Sequence, residues 1–283
     1  DAGLAGLWAK RRPLLADLRA PDRPGEGWLC AAVLCLLALY CVGGALRFAL
    51  RAAAGGAVAP QQDFFWNVGN AQSFLLGFPP QDLRFSGYTL TYHYLSELMA
   101  AGLSMASGTP CYDLEAVLLP LAGILFTAAM LWDLGRILYG GSIKRAGLLL
   151  GLVFLCGGAG LWKVFEYGRC PFWNLSVYHV LTNINGMGFG LGLLAAFFST
   201  GAVLFRREGN ARPAWLWGLN LAALALLCFA KGPVAGVAVL AFFCAALVRL
   251  PGAGRGGMRL RAATLAWALM LLAGFGALYA AFF

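Results

Sequence analysis

Residues 114–138 read LEAVLLPLAGILFTAAMLWDLGRIL. No charge interrupts the run between Glu115 and Asp133. A helix of this length reaches about 37 Å, more than the hydrocarbon core of a bilayer requires. Asp113 and Glu115 suit a first helical turn, where the peptide dipoles favour negative charge. Comparable apolar runs occupy about 28–50, 146–164, 187–205, 214–230, 233–248 and 260 to the end, with Ser142 placed to cap the 146–164 run. Lys231-Gly232 alone separates the fifth run from the sixth. Seven spans result, and the predicted fold class is all-α, a polytopic transmembrane helical bundle.

Composition agrees. The 283 residues are 61% hydrophobic and 12% charged, about half the charge fraction of a soluble domain. A water-soluble enzyme, a disordered chain and a disulfide-stapled secreted module are excluded. The net charge of +9 comes from short basic clusters beside apolar runs, which is an orientation signal and not a nucleic-acid face. No C-x-x-C pair occurs among the eight cysteines. Cys111 and Cys170 alone fall outside the apolar runs, so a disulfide between them is one reading.

The basic clusters set a topology. Lys10, Arg11, Arg12, Arg19 and Arg23 precede the first run, so 1–27 reads as a cytoplasmic segment and 28–283 as the transmembrane domain. If the 90–105 helix stays outside, Arg136, Lys144, Arg145, Arg206, Arg207 and Arg212 also fall on the inner side. Outer loop 1 then covers 51–112 and outer loop 2 covers 165–186. The chain starts at Asp1 and stops inside an apolar run, which reads as the N-terminal part of a longer protein. Its Ala, Gly, Leu and Arg richness suggests a prokaryote. The expected localisation is the inner (plasma) membrane, multi-pass, with the N-terminus cytoplasmic and the site facing outward.

The chemistry-bearing residues gather in those outer loops. Asp63 stands in Gln61-Gln62-Asp63-Phe64-Phe65-Trp66-Asn67, where aromatic neighbours desolvate a carboxylate and raise its proton affinity. A solvated loop aspartate or the N-cap of a short helix is the competing reading. Gly77-Phe78-Pro79-Pro80 is a stiff turn. Gly87-Tyr88-Thr89-Leu90-Thr91-Tyr92-His93-Tyr94 leads into a helix on which His93 and Glu97 stand four apart, as a local pair, a relay or part of a metal site. Outer loop 2, with the span end before it, holds Lys163, Glu166, Arg169 and His179. Lys163, Arg169 and Lys231 are candidate phosphate contacts, with interfacial snorkelling as the alternative. An aromatic belt at the headgroup level is the structural reading of the loop aromatics.

The order of these segments resembles the C-type glycosyltransferase superfamily, polytopic enzymes that use lipid-phosphate sugars. The marks are a first span, an outer loop opening with Asp63, the Gly77-Phe78-Pro79-Pro80 turn, and the Gly87–Tyr94 segment before a helix closed by Gly108. The pattern is most similar to the dolichyl-phosphate-mannose mannosyltransferase-like group and the membrane proteins named after a Tyr-Tyr-Tyr motif, over about 28–205. The resemblance implies inverting transfer of a sugar from a polyprenyl-phosphate donor to a glycan, lipid or protein acceptor, among membrane lipids and without nucleic acid. It implies Asp63 as catalytic base and Glu166 as second acid. Trp66, Tyr92, His93, Tyr94, Lys163, Arg169, His179 and Lys231 are the expected substrate-binding residues. Some members of that superfamily require a divalent metal, Mg or Mn, and others do not; the acidic pair that would hold one is missing here. A transporter or flippase of lipid-linked substrates, or a non-catalytic membrane scaffold, is the alternative.

Overall fold

The computed structural model describes residues 27–28, 31–32, 35, 64–83, 85, 87–91, 94–155, 187–206, 214–248 and 255–282. Among these, seven helices form: α1 (Phe64–Leu76), α2 (Leu95–Ser107), α3 (Cys111–Leu138), α4 (Ile143–Leu155), α5 (Met187–Arg206), α6 (Ala214–Val248) and α7 (Arg255–Phe282). Four of them, α3, α5, α6 and α7, are long and apolar enough to cross a membrane. The 28–50 run lies almost wholly outside the described residues.

The helix ends obey local chemistry. Ser142 caps α4 as expected, its Oγ accepting the Arg145 N–H at 3.3 Å. Gly108 ends α2 in the left-handed conformation at φ 72°, its N–H donating to Ser104. Residues 114–118 of α3 form a wider π turn. Pro120 supplies a reason: it has no N–H to offer the Ala116 carbonyl, so the α-helical pattern cannot run through that point.

Helix α6 is not straight. Its backbone leaves the helical region at Lys231 (φ −162°, ψ 84°), ahead of Pro233. Asn220 and Phe242 nevertheless meet the same neighbours on α5. Asn220 donates to the Phe197 carbonyl at 3.0 Å, while the Phe197 and Phe242 rings lie 5.3 Å apart. Both side chains also fall within 4 Å of the point where Gly201 would carry a Cβ. A continuous helix would separate positions 220 and 242 by about 33 Å. The chain therefore folds back at Lys231, and limbs 214–230 and 232–248 each measure about 25 Å. α7 returns alongside the second limb, Phe275 beside Gly236 and Tyr279 beside Gly232.

Packing across the bundle is close where glycine allows it. A Cβ on Gly135 of α3 would lie 2.9 Å from the Ala146 backbone of α4. Thr127 of α3 donates to the Gly188 carbonyl of α5. The main core joins α5, both limbs of α6 and α7 around Phe197, Leu227, Val239, Phe242 and Leu271. The stretch expected as a long outer loop with a helix at 90–105 carries two helices among its described residues, α1 and α2, packed on each other, on the start of α3 and on the α6 turn. Its propensity is mixed, and α1 is set by burial of Phe64, Val68, Ala71 and Phe74 and not by intrinsic preference.

Candidate functional site

The site builds outward from the face of α1. Phe64, Val68 and Ala71 form a row packed on Ala100, Cys111 and Leu114, and Phe74 packs on Tyr94 and Ala101. Asn67 stands three residues after Phe64 and four before Ala71. Helical geometry therefore turns it toward the α2 side, with Asn70 at the next position round. Both asparagines are fully buried. Neither the amide nitrogen nor the carbonyl oxygen of either finds a hydrogen-bond partner among the described residues. Each such buried group costs about 1–3 kcal/mol.

Two carboxylates face the same region. Glu97 of α2 is fully buried, one turn before Ala100 and Ala101, the residues through which α2 packs on α1. Its Oε2 accepts from Ser96 Oγ at 2.8 Å, and its Oε1 has no hydrogen-bond partner among the described residues. Glu115 lies in the π turn of α3, fully buried, with neither oxygen hydrogen-bonded among those residues. The two acids are within electrostatic range of one another. Burial pushes the Glu97 carboxyl up to about 7; the Ser96 hydrogen bond, its own backbone and the charge of Lys231 pull the other way. Lys231, half-buried at the turn of α6, thus adds the cation of the set.

An aromatic row borders these groups. The Phe74 ring lies 5.1 Å from Tyr94, which lies 5.8 Å from Phe229, two residues before the turn of α6. Tyr94 is therefore packed within the row, and burial raises the proton affinity of its hydroxyl. Trp66, half-buried, shares the side of α1 that carries Ser73, which faces the 77–89 loop through Gln81.

Of the residues expected from sequence, Trp66, Tyr94 and Lys231 are described, and Tyr94 and Lys231 converge on the region between α2 and α6. Asp63, Tyr92, His93, Lys163, Glu166, Arg169 and His179 lie outside the described residues. Cys111 is a free, buried thiol; its suggested partner Cys170 also lies outside them. The sequence reading missed Asn67, Asn70, Glu97 and Glu115 as a group. Asn67 and Asn70 at i, i+3 were a signal for one helix face. From sequence, Glu97 suits a pair, relay or metal site with His93, and Glu115 a dipole-compensating first turn.

Amide and carboxyl groups held in a dry place offer both donors and acceptors to hydroxyls. Among the described residues no three His, Cys, Asp or Glu side chains cluster as metal ligands. No family model, curated protein or solved structure matches the chain.

Proposed function

We propose that the protein is a membrane glycosyltransferase that moves a sugar from a polyprenyl-phosphate donor to an acceptor at the α1–α2 end of the bundle. The observation that supports it best is the set of buried, hydrogen-bond-deficient polar groups at that end: Asn67, Asn70, Glu97 and Glu115, with Lys231 beside them. A donor with an isoprenoid tail must be met at the membrane boundary, where its phosphate needs cations and its sugar needs directed donors and acceptors.

In this reading Asp63, adjacent in sequence to the buried Phe64, is the general base. It takes the acceptor hydroxyl proton as the oxygen attacks the anomeric carbon. The bond from that carbon to the phosphate oxygen breaks, and its electron pair leaves with the polyprenyl phosphate, inverting the centre. Lys231, Lys163 and Arg169 receive the phosphate charge, and Trp66 and Tyr92 shape the sugar pocket. Seven spans, an outward-facing site and a prokaryotic inner membrane belong to the same proposal.

The test supplies the protein, in membranes, with radiolabelled polyprenyl-phosphate sugars and compares wild type with Asp63→Asn. Transfer that collapses in the variant, with insertion unchanged, is the expected result. Equal transfer in both removes Asp63 from the chemistry. The folded-back α6 with a cation at its turn also suits a carrier of lipid-linked anions. Intact label crossing the bilayer without cleavage would favour that second reading.

A further inference from the structure

Helix α1 lies across one end of the bundle and not along it. Phe64 at its start packs with Cys111, Leu114 and Leu119, where α3 begins. Phe74 near its end reaches, through Tyr94, the Phe229 ring at the turn of α6. Both places are ends of apolar crossing segments, so the axis of α1 runs along the plane of the membrane surface. Past Phe74 the chain continues beyond the bundle, with Phe78 stacked outside Phe74 at 6.3 Å.

The described residues of 77–89, which are 77–83, 85 and 87–89, then form a braced loop. Ser73 Oγ donates to the Gln81 carbonyl at 2.9 Å and accepts the Gln81 N–H at 3.0 Å. The Asp82 N–H donates to Tyr88 O, and the Leu90 N–H to Pro80 O, each at 2.9 Å. Large apolar side chains of the loop face outward beside Gln81 and Thr89, while Asp82 is turned in. Asp82 is 7% exposed, while Leu76 is 87%, Phe78 73%, Phe85 58% and Tyr88 71% exposed. A patch of large apolar side chains on a braced frame marks a surface that is covered in use.

We propose that the end of α1 and the 77–89 loop form an interfacial finger that lies in the headgroup–acyl boundary of the bilayer beside the turn of α6. Lipid is the occupant because the ends of the crossing helices on which α1 and α2 rest expose apolar side chains of their own, Leu118 at 47% and Leu226 at 44%. Phe and Leu can bury there while the Tyr hydroxyl stays among headgroups. The inference does not depend on what the protein catalyses.

The test places an environment-sensitive fluorophore on Phe85→Cys, and separately on Tyr88→Cys, in the full chain with its other exposed cysteines replaced, reconstituted in phosphatidylcholine vesicles. Nitroxide lipids quench from the headgroup, from shallow acyl positions or from deep ones. A label on Val237→Cys, 70% exposed on the second limb of α6, is the reference for the crossing surface. Headgroup and shallow nitroxides are expected to quench both finger labels about twofold more than deep ones do. Labels untouched by any nitroxide while Val237→Cys is quenched would overturn the proposal, leaving a protein partner or a second copy as the cover. Strongest quenching from deep nitroxides would also overturn it, placing the loop in the hydrocarbon. Two separate sites guard against one variant failing to fold.

Discussion

Asn220 in the bundle and Asn67 in the end unit are the same residue type, both fully buried, with opposite surroundings. Asn220 donates to the Phe197 carbonyl and to Thr200 Oγ1, and accepts from Trp267 Nε1 at 3.0 Å, so it ties α5, α6 and α7 together. Asn67 has none of this among the described residues, and neither has Asn70. Among the described residues of the crossing helices beyond the start of α3, the buried polar groups are hydrogen-bonded, with Ser199 as the exception. The end unit leaves amides and carboxylates unmet within a few turns of one another. Buried polarity that holds a fold is bonded internally; buried polarity kept for another purpose is not.

Asn220→Leu is the harshest test of that contrast. It strands the Trp267 N–H, removes the donor to Thr200 Oγ1 and should cost about 3 kcal/mol, read as a lower Tm in detergent. A change near zero would erase the distinction.

The carboxylates sharpen it through pH. Unfolded, Glu97 releases its proton near 4.5; folded, burial holds it to about 7. Between those values the unfolded chain carries fewer protons, so stability falls as pH rises and then levels above 7, a loss of up to about 3 kcal/mol. Glu97→Gln should flatten this slope and raise Tm at pH 8, the two proteins converging at pH 4. An unchanged slope would show that Glu97 is not the group held protonated.

Smaller effects are expected elsewhere in the end unit. Ser73→Ala loses both hydrogen bonds to Gln81 and should cost about 1 kcal/mol, with faster amide exchange confined to 77–90. Asn67→Leu removes two unbonded polar atoms at similar volume and should shift stability by less than about 1 kcal/mol in either direction. If sugar transfer is the activity, Asn67→Leu should reduce it while leaving Tm intact. A drop in Tm as large as that of Asn220→Leu would show a structural role instead.

Much of the bundle was legible because its signals are local. The uninterrupted run in α3 depends on hydropathy and length alone. Ser142 and Gly108 act through their own backbone neighbours. The break at Lys231-Gly232-Pro233 was readable because proline cannot continue a helix from within. The end unit was less legible. Asp63 and the aromatics drew attention by type, while Glu97 pointed to His93 by spacing and Glu115 resembled an ordinary first-turn acid. Residues 64–76, mixed in composition, showed no clear helical period.

The sequence by itself determined a helical chain with segments apolar and long enough to cross a membrane, four of them found among the described residues, and the point where α6 turns, since each rests on hydropathy or on a neighbour's covalent geometry. Only the tertiary structure decided which polar groups lose water. Packing α1 and α2 onto the start of α3 buries Glu97, Glu115, Asn67 and Asn70, and it turns Asp82 inward while Phe85 points out. Burial is a property of what comes to lie against a residue, and no spacing along the chain encodes it.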